Sequence, residues 1–142
     1  MFKKIILSLL AGFLLFISWP PITNFTFLIF IAFVPLFIIE SFFSNKQIGM
    51  KEYLCYIYIA FFIFNTSVTF WIKHAHLGGA IFAIFCNSFF MTFVFFLYTK
   101  IRHCIAKEGS IIIFSLLWLG FEYLHLNWDL SWPWLTLGNI FS

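Results

Sequence analysis

Charged side chains are scarce in this chain. Of its 142 residues, 9% are Asp, Glu, Lys or Arg, while 63% are hydrophobic. Soluble domains carry about 25% charged residues, because a protein of this size exposes a large surface that polar groups must cover. Disordered chains are poor in apolar residues, so the same composition excludes disorder. An integral membrane protein is the class that fits, and the net charge of +3 gives no basis for nucleic-acid binding.

Cysteine is also rare in this chain, and the sequence motifs of several known active sites are missing. The three cysteines, Cys55, Cys86 and Cys104, form no CxxC pair and lie in or beside apolar runs, where cysteine behaves as a small hydrophobe. The sequence contains no nucleophile elbow, phosphate-binding loop or HExxH motif. We therefore predict no disulfide, no catalytic residue, no metal ligand and no cofactor.

Five apolar runs follow one another along the chain. A helix needs about 20 residues to cross the hydrocarbon core, and flanking lysines and tryptophans extend the shorter runs to the interface. The sequence predicts an all-α polytopic membrane protein, a single domain over 1–142 with about five transmembrane helices. The predicted spans are 3–19, 25–43, 53–71, 80–98 and 111–124, followed by an outer amphipathic tail at 125–142. The first run ends in Ser18-Trp19-Pro20-Pro21 rather than a small-x-small cleavage site, so we interpret it as an uncleaved helix.

The positions of lysine and arginine predict the orientation. Positive charges gather on the cytoplasmic side of membrane proteins. With a cytoplasmic N-terminus, seven of the eight lie inside and Lys73 alone lies outside. The C-terminal end is then periplasmic.

Glu122 is the most informative charged residue, because a carboxylate in a membrane span is costly unless it is paired or functional. It follows Trp118 by four residues at the outer end of the fifth span. Lys73 could pair with it or meet a lipid phosphate, and the alternative is a hydrated carboxylate beyond the hydrocarbon. His74 and His76 have no acidic or cysteine neighbours, which favours a headgroup-contacting loop over a zinc site.

The C-terminal stretch contains the segment Trp132-Pro133-Trp134. Proline removes a backbone donor and restricts the residue before it, so this segment cannot be a helix interior. Two tryptophans around a proline form an amphipathic knob suited to the outer interface. It can serve as an anchor or as the rim of a lipid-binding cleft.

Four motifs in this order resemble the N-terminal membrane domain of apolipoprotein N-acyltransferases, over nearly the whole chain. The motifs are Leu15-Phe16-Ile17-Ser18-Trp19-Pro20-Pro21, Ala32-Phe33-Val34-Pro35-Leu36, Phe70-Trp71-Ile72 with Gly78-Gly79, and Leu117-Trp118 with Glu122-Tyr123-Leu124, Trp132-Pro133-Trp134-Leu135 and Gly138. The last motif is the most specific. The orientation derived from charge agrees with that of the family.

The resemblance implies a helical bundle in the bacterial inner membrane that carries a periplasmic nitrilase-like domain. A cysteine of that domain takes an acyl chain from a phospholipid and passes it to the N-terminal cysteine of a diacylglyceryl apolipoprotein. No cysteine of this chain matches that nucleophile, so the resemblance implies a scaffold and a lipid-access bundle here. The lipid- and substrate-access candidates are Trp71, Glu122, Trp132, Pro133, Trp134 and Gly138.

The leading hypothesis is therefore an N-terminal piece of this acyltransferase, truncated before the catalytic domain and inactive alone. Its implied partners are the phospholipid acyl donor, the diacylglyceryl apolipoprotein and a nitrilase-like catalytic domain. The alternative is a small non-enzymatic membrane protein that acts as an assembly or interaction module. A transporter or channel subunit is disfavoured, because the sequence shows no polar stripe and has almost no intramembrane ionisable residues.

Overall fold

The chain folds into helices. The computed structural model describes residues 2–20, 25–74, 76–104, 110–128 and 135–141. The α-helices are α1 Phe2–Ile17, α2 Ile29–Ala32, α3 Val34–Ser44, α4 Met50–Thr69, α5 Leu77–Cys104 and α6 Ser110–Leu126. Shorter 3-10 turns cover Thr26–Leu28, Phe70–His74 and Leu137–Phe141. These described ranges contain no strand, and the predicted all-α membrane fold is confirmed.

Three helical segments within the described residues are long and apolar enough to cross a membrane: Thr26–Ser44, Met50–His74 and Leu77–Cys104. They overlap the predicted spans 25–43, 53–71 and 80–98. α1 has 16 residues and α6 has 17, so both are near the lower limit of about 17 for a span. The number of spans and the cytoplasmic N-terminus stay predictions.

A break at Phe33 divides the second apolar segment. α2 ends at Ala32 and α3 begins at Val34, with Pro35 in its first turn. Proline has no N–H and disfavours helical geometry in the residue before it. The predicted span over 25–43 therefore consists of a 3-10 turn and two consecutive α-helices.

The chain divides into two compact units, Met1–Thr92 and Phe93–Ser142, with the boundary inside α5. In the first unit, the small residues of α1 face α4. A Cβ atom added to Gly12 would lie 2.7 Å from the carbonyl oxygen of Ala60 and 2.9 Å from the Cβ of Ile63. Ser8 and Gly12 are both buried and are four residues apart, the spacing at which small residues let two membrane helices approach closely.

The charged start of α1 lies beside the end of α3 and the start of α4. The Nζ atom of Lys4 is 3.8 Å from Oε1 of Glu52, and it lies 5.7 Å from the ring centre of Phe42. The sequence predicts all three of these segments on the cytoplasmic side, and the structure places them at one end of the first unit. At the end of α1, Trp19 is buried and its ring packs edge-on against Phe64 at 5.3 Å.

A buried polar network joins α4 to the first half of α5. The Nδ2 atom of Asn65 donates to the carbonyl oxygen of Phe61 at 2.8 Å and to Oγ of Ser88 at 3.1 Å. The Oδ1 atom of Asn65 accepts from Nδ2 of Asn87 at 2.7 Å. Oδ1 of Asn87 is buried without a hydrogen-bond partner. The sequence shows no polar stripe, yet these neutral amides meet across two helices.

The orientation can be tested by labelling single cysteines after Cys55, Cys86 and Cys104 are replaced by alanine. Gln47 lies in the segment that the sequence places inside, and Gly138 lies in the tail; both are exposed. With the predicted topology, Gly138→Cys reacts with a membrane-impermeant maleimide in intact spheroplasts. Gln47→Cys then reacts only after permeabilisation. The reverse pattern would overturn the orientation.

Candidate functional site

Glu122 lies on α6 with its side chain half-buried. The helical spacing of four residues puts it on the same face as Trp118, which is 4% exposed. The indole Nε1–H of Trp118 donates to Oε1 of Glu122 at 2.8 Å. The backbone N–H of Leu137 donates to the same oxygen, also at 2.8 Å. Oε1 of Glu122 therefore accepts two hydrogen bonds within the second unit.

Leu137 begins the 3-10 turn Leu137–Phe141. The first N–H groups of a helical turn have no partner within the turn, and a carboxylate makes a strong acceptor for them. Leu135 and Ile140 are buried on either side of Leu137. One carboxylate and two apolar side chains thus hold residues 135–141, the tail segment, in place.

A row of aromatic rings begins on α5, follows the same face of α6 and continues just past its end. Consecutive ring centres are 5.0 to 5.9 Å apart, distances at which aromatic pairs attract. The row runs through Phe95, Phe114, Trp118, Phe121, His125 and Trp128. In contrast, Leu116, Leu119 and Tyr123 on α6 are exposed. The face of α6 that carries Phe114, Trp118 and His125 therefore packs inside the second unit, and the opposite face is exposed.

The family model for the apolipoprotein N-acyltransferase N-terminal domain matches residues 11–142. The chain belongs to this family. It is 30% identical over 141 residues to the apolipoprotein N-acyltransferase of Chlorobaculum tepidum, and the match covers 96% of this chain and 25% of that protein. The chain thus spans about a quarter of the length of this curated relative. No solved structure matches it.

Within this N-acyltransferase domain, the structure describes three of the six access candidates. Gly138 is exposed in the 3-10 turn, with open space where a side chain would lie, and it directly follows the residue that Glu122 binds. Trp71 is 51% exposed in the first unit, in the turn Phe70–His74. Trp132, Pro133 and Trp134 lie outside the described residues. The roles of all six stay predictions.

Sequence reasoning missed the contact between Glu122 and Leu137. The pairing of Glu122 with Trp118 could be read from the helical spacing, but the bond to Leu137 spans 15 residues. The donor is a backbone N–H, which nearly every residue has, so the sequence does not show which residue donates to Glu122. The pairing of Glu122 with Lys73 stays untested.

His76 directly precedes α5. In the described residues, no group of three or more His, Cys, Asp or Glu side chains could hold a metal ion. Nδ1 of His76 accepts the backbone N–H of Gly79 at 2.8 Å, so this imidazole caps the start of α5. The hydrogen bonds of His76 and Glu122 are suited to holding chain segments in place.

Proposed function

We propose that this chain is the membrane portion of a phospholipid-dependent apolipoprotein N-acyltransferase of the bacterial inner membrane, which acts in lipoprotein maturation. The family match over residues 11–142 supports this proposal most strongly. In this role the chain is a scaffold and a route for lipid rather than the site of acyl transfer. Its partners are a phospholipid acyl donor, a diacylglyceryl apolipoprotein and a nitrilase-like catalytic domain.

The tail segment and the residues before it form the proposed lipid-access region. Trp132, Pro133 and Trp134 lead directly into Leu135, which is buried. Tryptophan favours the headgroup level of a bilayer, where its ring is apolar and its N–H meets polar groups. Trp71 in the first unit is 51% exposed, and its ring is likewise suited to the headgroup region. The proposal assigns these tryptophans to contact with the acyl donor at the membrane surface.

The scaffold role predicts that residues 1–142 alone transfer no acyl chain. It also predicts transfer by a chimera in which residues 11–142 replace the matching part of the Chlorobaculum tepidum relative. Both proteins would be reconstituted with phospholipid and a synthetic diacylglyceryl lipopeptide, and mass spectrometry would detect the triacylated product. The intact relative is the positive control.

Two results would contradict the proposal. Triacylated product from residues 1–142 alone would rule out a scaffold that lacks catalysis. A chimera that inserts into membranes as the relative does, yet forms no product, would favour the alternative of a non-enzymatic membrane module.

A further inference from the structure

Glu122 receives two donors from two different parts of the second unit. Nε1 of Trp118 belongs to α6, and the backbone N of Leu137 belongs to the tail segment; each is 2.8 Å from Oε1. Glu122 is the only acidic residue in the described ranges 93–104, 110–128 and 135–141. Both N–H groups donate to Oε1 of Glu122, so the two lone pairs of that oxygen are occupied.

We propose that Glu122 is a positioning residue that fixes the tail segment, residues 135–141, against α6. The effect on acyl transfer rests on the proposed function, whereas the hydrogen bonds themselves do not. The contact restrains the chain three residues after Trp134, at Leu137. Loss of the contact leaves the buried side chains of Leu135 and Ile140 to hold the tail segment, so the segment opens more often.

A direct contact between Glu122 and a lipid phosphate would be a different role. Two negative groups repel each other, and the described oxygen already accepts two protein donors. A role that depends on the negative charge itself is lost in Glu122→Gln. A positioning role largely survives that change, because the amide keeps a carbonyl oxygen of the same reach.

The positioning role can be measured without any activity. Hydrogen exchange of residues 135–141 would be followed by mass spectrometry on the full 142-residue chain in lipid nanodiscs. In Glu122→Ala, the Leu137 amide loses its acceptor, and its exchange is expected to accelerate about 10- to 100-fold, as for the loss of a hydrogen bond to a charged group. In Glu122→Gln the increase stays within about fivefold, since the neutral bond is weaker but still forms.

Two controls separate this effect from general unfolding. Ser115→Ala removes an exposed hydroxyl on α6 that donates to the carbonyl oxygen of Ile111 one turn earlier, and it leaves exchange in the tail segment unchanged. Exchange in α1 stays the same in all variants. Unchanged exchange of Leu137 in Glu122→Ala would overturn the inference, and acceleration throughout α6 as well would assign Glu122 to helix stability instead.

The same variants in the chimera test the link to acyl transfer. We expect Glu122→Ala to lower kcat/KM at least tenfold, with Glu122→Gln recovering most of it. If Glu122→Gln is as inactive as Glu122→Ala while its Leu137 amide stays protected, the positioning role is overturned. Glu122 would then act through its negative charge. Faster exchange with full activity would overturn the effect on catalysis. A parent chimera without activity would count against the proposed function, and the exchange experiment would still decide the contact.

Discussion

Gly12→Leu is expected to lower the free energy of unfolding by about 3 kcal/mol or more, the upper end of the cost of overpacking. Even the first added carbon would lie 2.7 Å from the carbonyl oxygen of Ala60. That oxygen belongs to the backbone of α4, so it cannot rotate away, and α1 must separate from α4. Gly12→Ala should cost about 1–2 kcal/mol, because alanine's better helix propensity, about 1 kcal/mol, offsets part of the clash.

Gly120→Ala is the matched control, since Gly120 also lies within a helix but has no neighbouring atom within 4 Å of an added Cβ. This change should raise the free energy of unfolding by about 0.5–1 kcal/mol through helix propensity alone. Reversible unfolding in mixed detergent micelles, followed by circular dichroism, measures both variants. Equal effects of the two alanine substitutions would contradict the close contact between α1 and α4.

Asn65→Leu is expected to lower the free energy of unfolding by about 2 kcal/mol. The substitution removes the oxygen that accepts from Nδ2 of Asn87, whose Oδ1 already has no partner. A buried polar group left unpaired costs about 1–3 kcal/mol, and hydrogen bonds between membrane helices are worth up to about 1.7 kcal/mol. Ser88 loses a donor in the same change.

The double variant Asn65→Leu with Asn87→Leu provides the sharper measurement. Removal of both amides leaves no unpaired partner, so the double variant should be more stable than Asn65→Leu alone, with a coupling energy of about 1 kcal/mol. Asn127→Ala serves as the control, because Asn127 is exposed just after α6 and its Nδ2 donates locally, to the carbonyl oxygen of Tyr123 four residues earlier. Additive effects of the two leucine substitutions would show that Asn65 and Asn87 act independently.

The positions of the helices were largely predictable from the sequence, because long apolar runs have few other solutions in a bilayer. α4, which covers most of the predicted span 53–71, begins at Met50 and ends at Thr69, and α5 extends past the span 80–98 at both ends. Helix ends were less predictable, because α4 already includes Lys51 before its apolar run begins, and α5 still includes Lys100 after its apolar run has ended. The break at Phe33 follows from Pro35, although the sequence predicts one span there.

The candidate site was only partly predictable. Glu122 attracts notice because its charge is costly within an apolar helix, and its spacing from Trp118 is local. Asn65 and Asn87 carry no charge and are 22 residues apart, so only the packing of α4 against α5 brings them together. The bond from Leu137 likewise depends on how the chain returns to α6.

The contact between α1 and α4 separates two stages in the biogenesis of the chain. α1 precedes α4 in the chain and so leaves the ribosome before it, whereas the atoms that fit against Gly12 belong to Ala60 and Ile63 of α4. Synthesis of α1 therefore precedes its packing against α4, in agreement with the two-stage view of membrane folding. A ribosome stalled before codon 60 would leave α1 without its partner, so translation must pass that point before the pair can form.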